Sequence, residues 1–282
     1  MVKILLSENK LIIKKGIDTK IMGILNVSPD SPVSHSVVSK HEALNRANVL
    51  KNYGADIIDV GGNSSSSKAV DITIQEEKER VLPVIEALIE DQFVVSLDSW
   101  IPEVVQEAAK IGIHLINDIN GLENPLMRKI AKDNDLPVSI MHMRGKPKRH
   151  YEIDQNYDNI SLDILEWLKH RSMELINYGI KKERIIIDPG FGFGKTMEDN
   201  LNILKNLYLY NDLDYPLLIS ASRKSFIAEA IGLGKVQKGN GLYEATLAVQ
   251  VLAAQQNIEI LRVHDVKSTK SILKLLKSYK KV

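Results

Sequence analysis

Residues 54–62 read Gly54-Ala-Asp-Ile-Ile-Asp-Val-Gly-Gly62, and the order of events in that stretch decides the fold. A glycine stops a helical stretch that opens on the capping-box pattern Ser39-x-x-Glu42. The apolar run Ile57–Val60 follows almost at once, short and interrupted only by Asp59, as in a strand buried on both faces of a parallel sheet. Seven further runs have the same character: Ile21–Leu25, Val94–Leu97, His114–Ile116, Val138–Met141, Ile185–Ile187, Leu217–Ile219 and Ile258–Val263. Between them lie amphipathic stretches with helix punctuation. Thr73-x-x-Glu76 repeats the capping box, and Pro102 to Ile111 before Gly112 and Ile160 to Tyr178 before Gly179 repeat the helix stopped by a glycine.

Eight alternations predict one α/β domain over residues 1–282, a single (β/α)8 barrel of the TIM type. An open doubly wound sheet uses the same local pattern and is the alternative. The stretches Val2–Leu6 and Leu11–Ile13 precede the first barrel strand, and they predict a short N-terminal hairpin closing the bottom of the barrel.

Composition narrows the function. With 37 basic and 36 acidic residues the net charge is +1, so no broad positive field supports nucleic-acid binding, and a small-molecule ligand fits better. The chain has no cysteine, which excludes disulfides, thiolate metal sites and a cysteine nucleophile and suits a reducing cytoplasm. Ser7, Glu8, Asn9 and Lys10 interrupt the first apolar residues, so export is not indicated. No apolar run approaches the roughly 20 residues that cross a bilayer; the expectation is a cytoplasmic protein without a membrane partner.

In a barrel of this kind the loops after the strands build the active site. Here the runs end in Asn26, Asp59, Asp98, Asn117, His142, Asp188, the cluster Ser222, Arg223 and Lys224, and finally Arg262 and His264. Singly, such residues are often helix caps or turn formers. Eight in succession predict a ring of carboxylates, carboxamides and cations around one pocket, suited to a polar heterocycle. A buried carboxylate facing a guanidine-like edge makes two parallel charge-assisted hydrogen bonds, and Asp188 is the choice for that task. The run Asp188-Pro-Gly-Phe-Gly-Phe-Gly-Lys-Thr196 is not a phosphate loop, because Pro189 stands where that pattern needs glycine. Its glycines are expected to let backbone approach a flat ligand, with Phe193 as a stacking face. The cations at the last two strand ends predict an anion site.

These motifs resemble the dihydropteroate synthases over nearly the whole chain. The resemblance rests on Met22-Gly-Ile-Leu-Asn-Val-Ser-Pro-Asp-Ser31, Gly54 to Gly62, Leu97-Asp-Ser99, Ile116-Asn-Asp-Ile-Asn-Gly121, Met141-His142, Asp188 to Thr196, Ser222-Arg-Lys-Ser-Phe226 and Arg262-Val-His-Asp-Val266. It implies condensation of 6-hydroxymethyl-7,8-dihydropterin diphosphate with 4-aminobenzoate, giving 7,8-dihydropteroate and diphosphate on the route to folate. By motif match Asp98, Asn117, Asp188 and Lys224 hold the pterin, and Met141 and Phe193 line its slot. Asn26 contacts magnesium, Arg262 and His264 bind the diphosphate, and Ser222 lies beside the aminobenzoate. The resemblance also implies a homodimer through the last helices.

Two strand-end loops depart from the family pattern. Where the family's first loop reads Ser-Phe-Ser-Asp-Gly-Gly, this chain reads Ser31-Pro-Val-Ser-His-Ser36, with Pro32 and Ser34 at altered positions. The second loop is Asn63-Ser-Ser-Ser-Ser-Lys68 in place of Glu-Ser-Thr-Arg-Pro-Gly, so the arginine has become Ser66, with Lys68 as a partial substitute. A lysine offers a point charge without the bidentate fork. Three readings stand at this point: a working synthase with unusual loops, a pterin-binding relative with lost or altered activity, and a pterin-dependent methyltransferase of the same barrel type.

Overall fold

In the computed structural model the described residues are 2–5, 10–16, 18–27, 40–66, 69–236 and 238–281. The barrel strands are β3 (Lys20–Asn26), β4 (Ile57–Gly61), β5 (Val95–Asp98), β6 (Leu115–Asp118), β7 (Val138–Met141), β8 (Ile185–Asp188), β9 (Leu218–Ile219) and β10 (Ile260–Val263). All pair in parallel, in the order β8-β7-β6-β5-β4-β3-β10-β9. The bridge between Ile187 and Leu217, with the Ile187 amide donating to the Pro216 carbonyl at 3.0 Å, joins the two ends. This closure selects the barrel over the open sheet.

The strand boundaries differ from the sequence expectation by a residue or two. Val94 and His114 stand just outside their strands, and the His114 Nδ1 accepts the Val95 amide at 3.2 Å. Ile258 and Glu259 also precede their strand, because the Glu259 carboxylate is committed to the amides of Leu217 (2.8 Å) and Gly16 (2.9 Å).

Helices alternate with the strands on the outside of the barrel. Helix α1 (Lys40–Tyr53) follows β3; its expected cap, Ser39, lies outside the described residues. Helix α2 (Ile74–Glu90) has the full reciprocal capping box between Thr73 and Glu76. Helices α3 (Pro102–Ile111) and α5 (Ile160–Tyr178) both end on left-handed glycines, Gly112 and Gly179, where a side chain would add strain. Helices α4 (Pro125–Asp133) and α6 (Met197–Lys205) follow β6 and β8. The last turns of the chain are α7 (Ser225–Ala230), α8 (Leu242–Ala254) and α9 (Val266–Tyr279).

The N-terminal hairpin is present as β1 (Val2–Leu5) paired antiparallel with β2 (Lys10–Ile13); Leu6 lies outside the described residues. Ile13 clusters with Met22, Ile57, Leu115, Ile186, Leu218 and Ile260, all within the first three residues of barrel strands. Ile13 therefore plugs the amino-terminal mouth with hydrocarbon, and the opposite mouth is left to polar side chains. No helix among the described residues is long and apolar enough to cross a membrane.

Candidate active site

The register of the sheet builds the site. Asn26 pairs with Gly61, Gly61 with Asp98, and Asp98 with Asn117, so one row crosses β3, β4, β5 and β6 at their carboxyl ends. Gly61 leaves a gap in that row, since a Cβ there would sit 3.7 Å from both the Asn26 Oδ1 and the Asp98 Cβ. Across the barrel Met141 pairs with Asp188. A cavity of about 430 Å³ opens at this end, and Asn26, Asp98, Asn117, Met141 and Asp188 line it. Phe193, Ser222, Lys224, Arg262 and His264 complete its wall, so the ten residues singled out in the sequence share one pocket.

Arg262 organises the floor. Its Nε donates to Asp59 and one terminal nitrogen to Asp98, each at 2.5 Å, and Asn117 adds a bond to the same Asp59 oxygen at 3.3 Å. Asp59 is fully buried beneath the cavity. Its position in the sequence reads as a turn former, and only the partner 203 residues away reveals it as the anchor of Arg262. The remaining Arg262 nitrogen lies 3.5 Å from the Ser220 hydroxyl.

Burial sets the ionisation of the carboxyls. It pushes Asp98 up to about 7, against the pull of Arg262 and with added repulsion from Asp59 and Glu77. It pushes Asp188 up to about 6, opposed by the Gly190 amide and by Lys224. One Asp188 oxygen accepts the Gly190 amide at 2.7 Å. Asp188 lines the same cavity as Met141, Phe193 and Ile119, which pack together as its apolar wall. The Lys224 ammonium sits 4.0 Å over the Phe193 ring, and burial lowers its pKa to about 8. The slot thus offers a flat apolar face, two carboxyls near their titration points and a cation that gives up its proton more readily than a free lysine.

The glycine run works differently from its sequence expectation at one position. A Cβ on Gly190, whose φ is +72°, would lie 2.0 Å from the His142 carbonyl oxygen, so this glycine permits contact between two loops and not between backbone and ligand. Gly192 does line the cavity, beside the Lys224 side chain. Lys195 is buried under the loop and donates to the carbonyls of His142, Gly190 and Phe193 at 3.1, 2.7 and 2.9 Å. It is a strut that holds the loop against β7.

His142 was expected in the ring and lies outside the pocket. It is buried in a separate cavity against Trp167, 5.2 Å away edge-on, and Tyr157. As the first residue past β7 it follows Met141, which takes the inward position; consecutive positions on an extended chain point to opposite sides.

At the last strand ends Ser222 and His264 form a pair. The Ser222 hydroxyl oxygen accepts the His264 amide at 3.4 Å and stands 2.9 Å from the His264 Nδ1. Which of the two donates in the second contact follows from the His264 tautomer. Burial first, then Arg262, Arg223, Lys224 and Arg46, push the His264 pKa down to about 3, so the imidazole is neutral near pH 7. Asn63 donates to Glu77 at 3.1 Å, and Ser64, Ser65 and Ser66 border the cavity. The first-loop residues Ser31 to Ser36 and Lys68 lie outside the described residues.

Among the described residues no group of three or more acidic, histidine or cysteine side chains converges as a metal cage. Asn26 supplies a single carboxamide oxygen at the rim. Such a donor suits a magnesium ion that arrives on substrate phosphates and keeps its waters, in preference to an ion caged by protein alone.

The sequence matches the family described as pterin binding enzyme over residues 22–264. It is 38% identical over 263 residues to dihydropteroate synthase of Escherichia coli strain K12, covering 92% of this chain and 90% of that protein. The crystal structure of Yersinia pestis dihydropteroate synthase with a sulfonamide drug complex superposes with a TM-score of 0.89 at 34% identity, over all of both chains. Xanthomonas albilineans dihydropteroate synthase with 4-aminobenzoic acid gives 0.87 at 32%, over 99% and 98%.

Proposed function

This chain belongs to the dihydropteroate synthase family, and from that premise we propose that it joins 6-hydroxymethyl-7,8-dihydropterin diphosphate to 4-aminobenzoate, releasing diphosphate and 7,8-dihydropteroate for folate synthesis. The observation that carries the reading is the gathering of Asp98, Asn117, Asp188 and Lys224 around one flat slot. Asp188 meets the guanidine-like edge of the pterin with its ionised carboxylate, while Asn117 and Asp98 satisfy further ring donors. Met141 and Phe193 sandwich the ring system. Lys224, already close to Phe193, donates to a ring acceptor.

The bond to be broken joins the pterin methylene carbon to the diphosphate oxygen. Its transition state puts positive charge on the methylene and negative charge on the leaving group. Carboxylates near the ring favour the first. Arg262 and the imidazole of His264 receive the second. Arg262 bonds Asp98, so the leaving group and the pterin share this guanidinium. Asn26 would hold magnesium, which when bound supplies positive charge to the departing phosphates. The amine of 4-aminobenzoate attacks the methylene directly and loses its proton to solvent, which needs neither a covalent enzyme intermediate nor a strong base. Ser222 borders the place of the second substrate; a relative's structure with 4-aminobenzoic acid supports that choice of substrate. Exposed Leu252, Leu275 and Tyr279 on α8 and α9 support a homodimer through the last helices. A cytoplasmic location accords with the absence of cysteine.

A second reading, a pterin binder with altered chemistry, is favoured by Ser66 at the cavity rim, where the family pattern has arginine. Diphosphate release by the purified protein with pterin diphosphate and magnesium separates the two. The expected result is release that requires 4-aminobenzoate and yields dihydropteroate. Tight pterin binding without that release overturns the synthase reading and leaves the second.

A further inference from the structure

A second cavity of about 240 Å³ opens beside the pterin pocket, and Asn26, Arg223 and His264 belong to the walls of both. Behind that partition its polar lining is Arg46 from α1 and Asp265 and Lys267 at the start of α9. Asp265 is already engaged: its carboxylate accepts the Tyr243 hydroxyl at 2.7 Å and the Ser268 amide at 3.0 Å. Among the described residues neither Arg46 nor Arg223 has an ion-pairing carboxylate. The cavity therefore gathers more positive than negative charge, and it abuts the amino end of a 14-residue helix, where backbone dipoles favour an anion.

Arg223 stands on the wall common to both cavities, with a φ of +57° in the left-handed region.

We propose that this second cavity receives the distal phosphate of the diphosphate, and that Arg46 is a phosphate-binding residue of this enzyme. It takes over, beside Arg223, the charge for which the family pattern uses a second-loop arginine, replaced here by Ser66; Arg223 itself belongs to the family's Ser222–Phe226 motif. The proposal rests on the diphosphate reading above and extends it to a helix that the strand-end motifs do not include. Asn26 and His264, the residues assigned above to magnesium and the diphosphate, form with Arg223 the partition between the pterin pocket and this cavity. A guanidinium on α1 offers the two-pronged fork that a phosphate takes up better than the single charge of a lysine. Burial first, and then Arg262, Arg223, Lys224 and Arg46, keep His264 neutral, and the field of those cations is the one an arriving phosphate would enter.

The test is calorimetric titration of inorganic diphosphate with magnesium into the full-length protein, comparing Arg46→Gln with the native residue. One lost charge-assisted contact predicts about tenfold weaker diphosphate affinity, with binding of 6-hydroxymethylpterin, which has no phosphate, unchanged. That second titration also reports that the variant is folded. Lys51→Gln, an equal loss of charge on the same helix, is expected to keep the native affinity, and Ser66→Arg added to Arg46→Gln is expected to recover most of it. Equal diphosphate affinity with and without Arg46, a matching loss in Lys51→Gln, or no diphosphate binding by the native protein overturns the inference. An Arg46-dependent diphosphate site in a protein that makes no dihydropteroate leaves the inference standing and removes the synthase reading.

Discussion

The two mouths of the barrel are built from the same strands and obey opposite rules. At the amino-terminal mouth Ile13, Met22, Ile57, Leu115, Ile186, Leu218 and Ile260 are buried to within 1% and form one hydrocarbon cluster. At the carboxyl mouth Asp59 and Asp188 are buried nearly as deeply, and Arg262, Asp98 and Lys224 crowd against them. Hydrocarbon burial stabilises in proportion to area and needs no particular partner. Buried charge is tolerated only when each group meets its complement. One mouth therefore holds the fold together, and the other retains the polarity a polar ligand requires.

That contrast can be broken most forcefully at Asp59. Replacing it with alanine removes one of the two carboxylates that hold Arg262, and loss of a buried partner costs about 3–5 kcal/mol. Urea unfolding of Asp59→Ala should show that loss together with impaired turnover; a variant as stable as the native protein would mean that Asp98 alone satisfies the guanidinium. At the other mouth Ile13→Ala should cost about 3 kcal/mol by cavity formation, while KM and kcat per folded molecule stay native. Changed kinetic constants there would show that the plug and the site are coupled.

The smallest effect sharpens the polar side. Asp188→Asn keeps the shape and loses the charge, so affinity for 6-hydroxymethylpterin should fall about 100-fold, as expected when charge-assisted bonds worth about 3 kcal/mol go. The native carboxyl has its pKa raised to about 6. It is ionised above that pH and protonated below it, so native affinity should weaken as the pH drops through 6. The asparagine variant should show no such inflection. A ligand without phosphate is needed, because phosphate groups titrate in the same range. If the inflection persists in Asp188→Asn, it belongs to another group, and Asp98, raised to about 7, is the next to replace.

Much of this was legible in the chain. Short β-branched runs and glycine-stopped helices are local signals, and they located each barrel strand within two residues, as well as the helices ending at Gly112 and Gly179. The strand-end rule then found nine residues that do line one pocket, to which the glycine run added Phe193 and the family resemblance Met141. It overreached at His142, because a position just past a strand has two sides and the sequence does not say which faces in. It also credited Gly190 to the ligand, when the close approach is to the His142 carbonyl.

By itself, then, the sequence determined the alternation, the hairpin and the set of groups available at one mouth, because each depends on the order of neighbours along the chain. Only the closed tertiary structure decided how those groups are used. It set Arg262 between Asp59 and Asp98, 203 and 164 residues away. It made Lys195 a strut and brought Arg46 of α1 to the wall behind Asn26 and His264. Those pairings depend on the register in which the eight strands close, and their ionisation depends on the burial that closure creates.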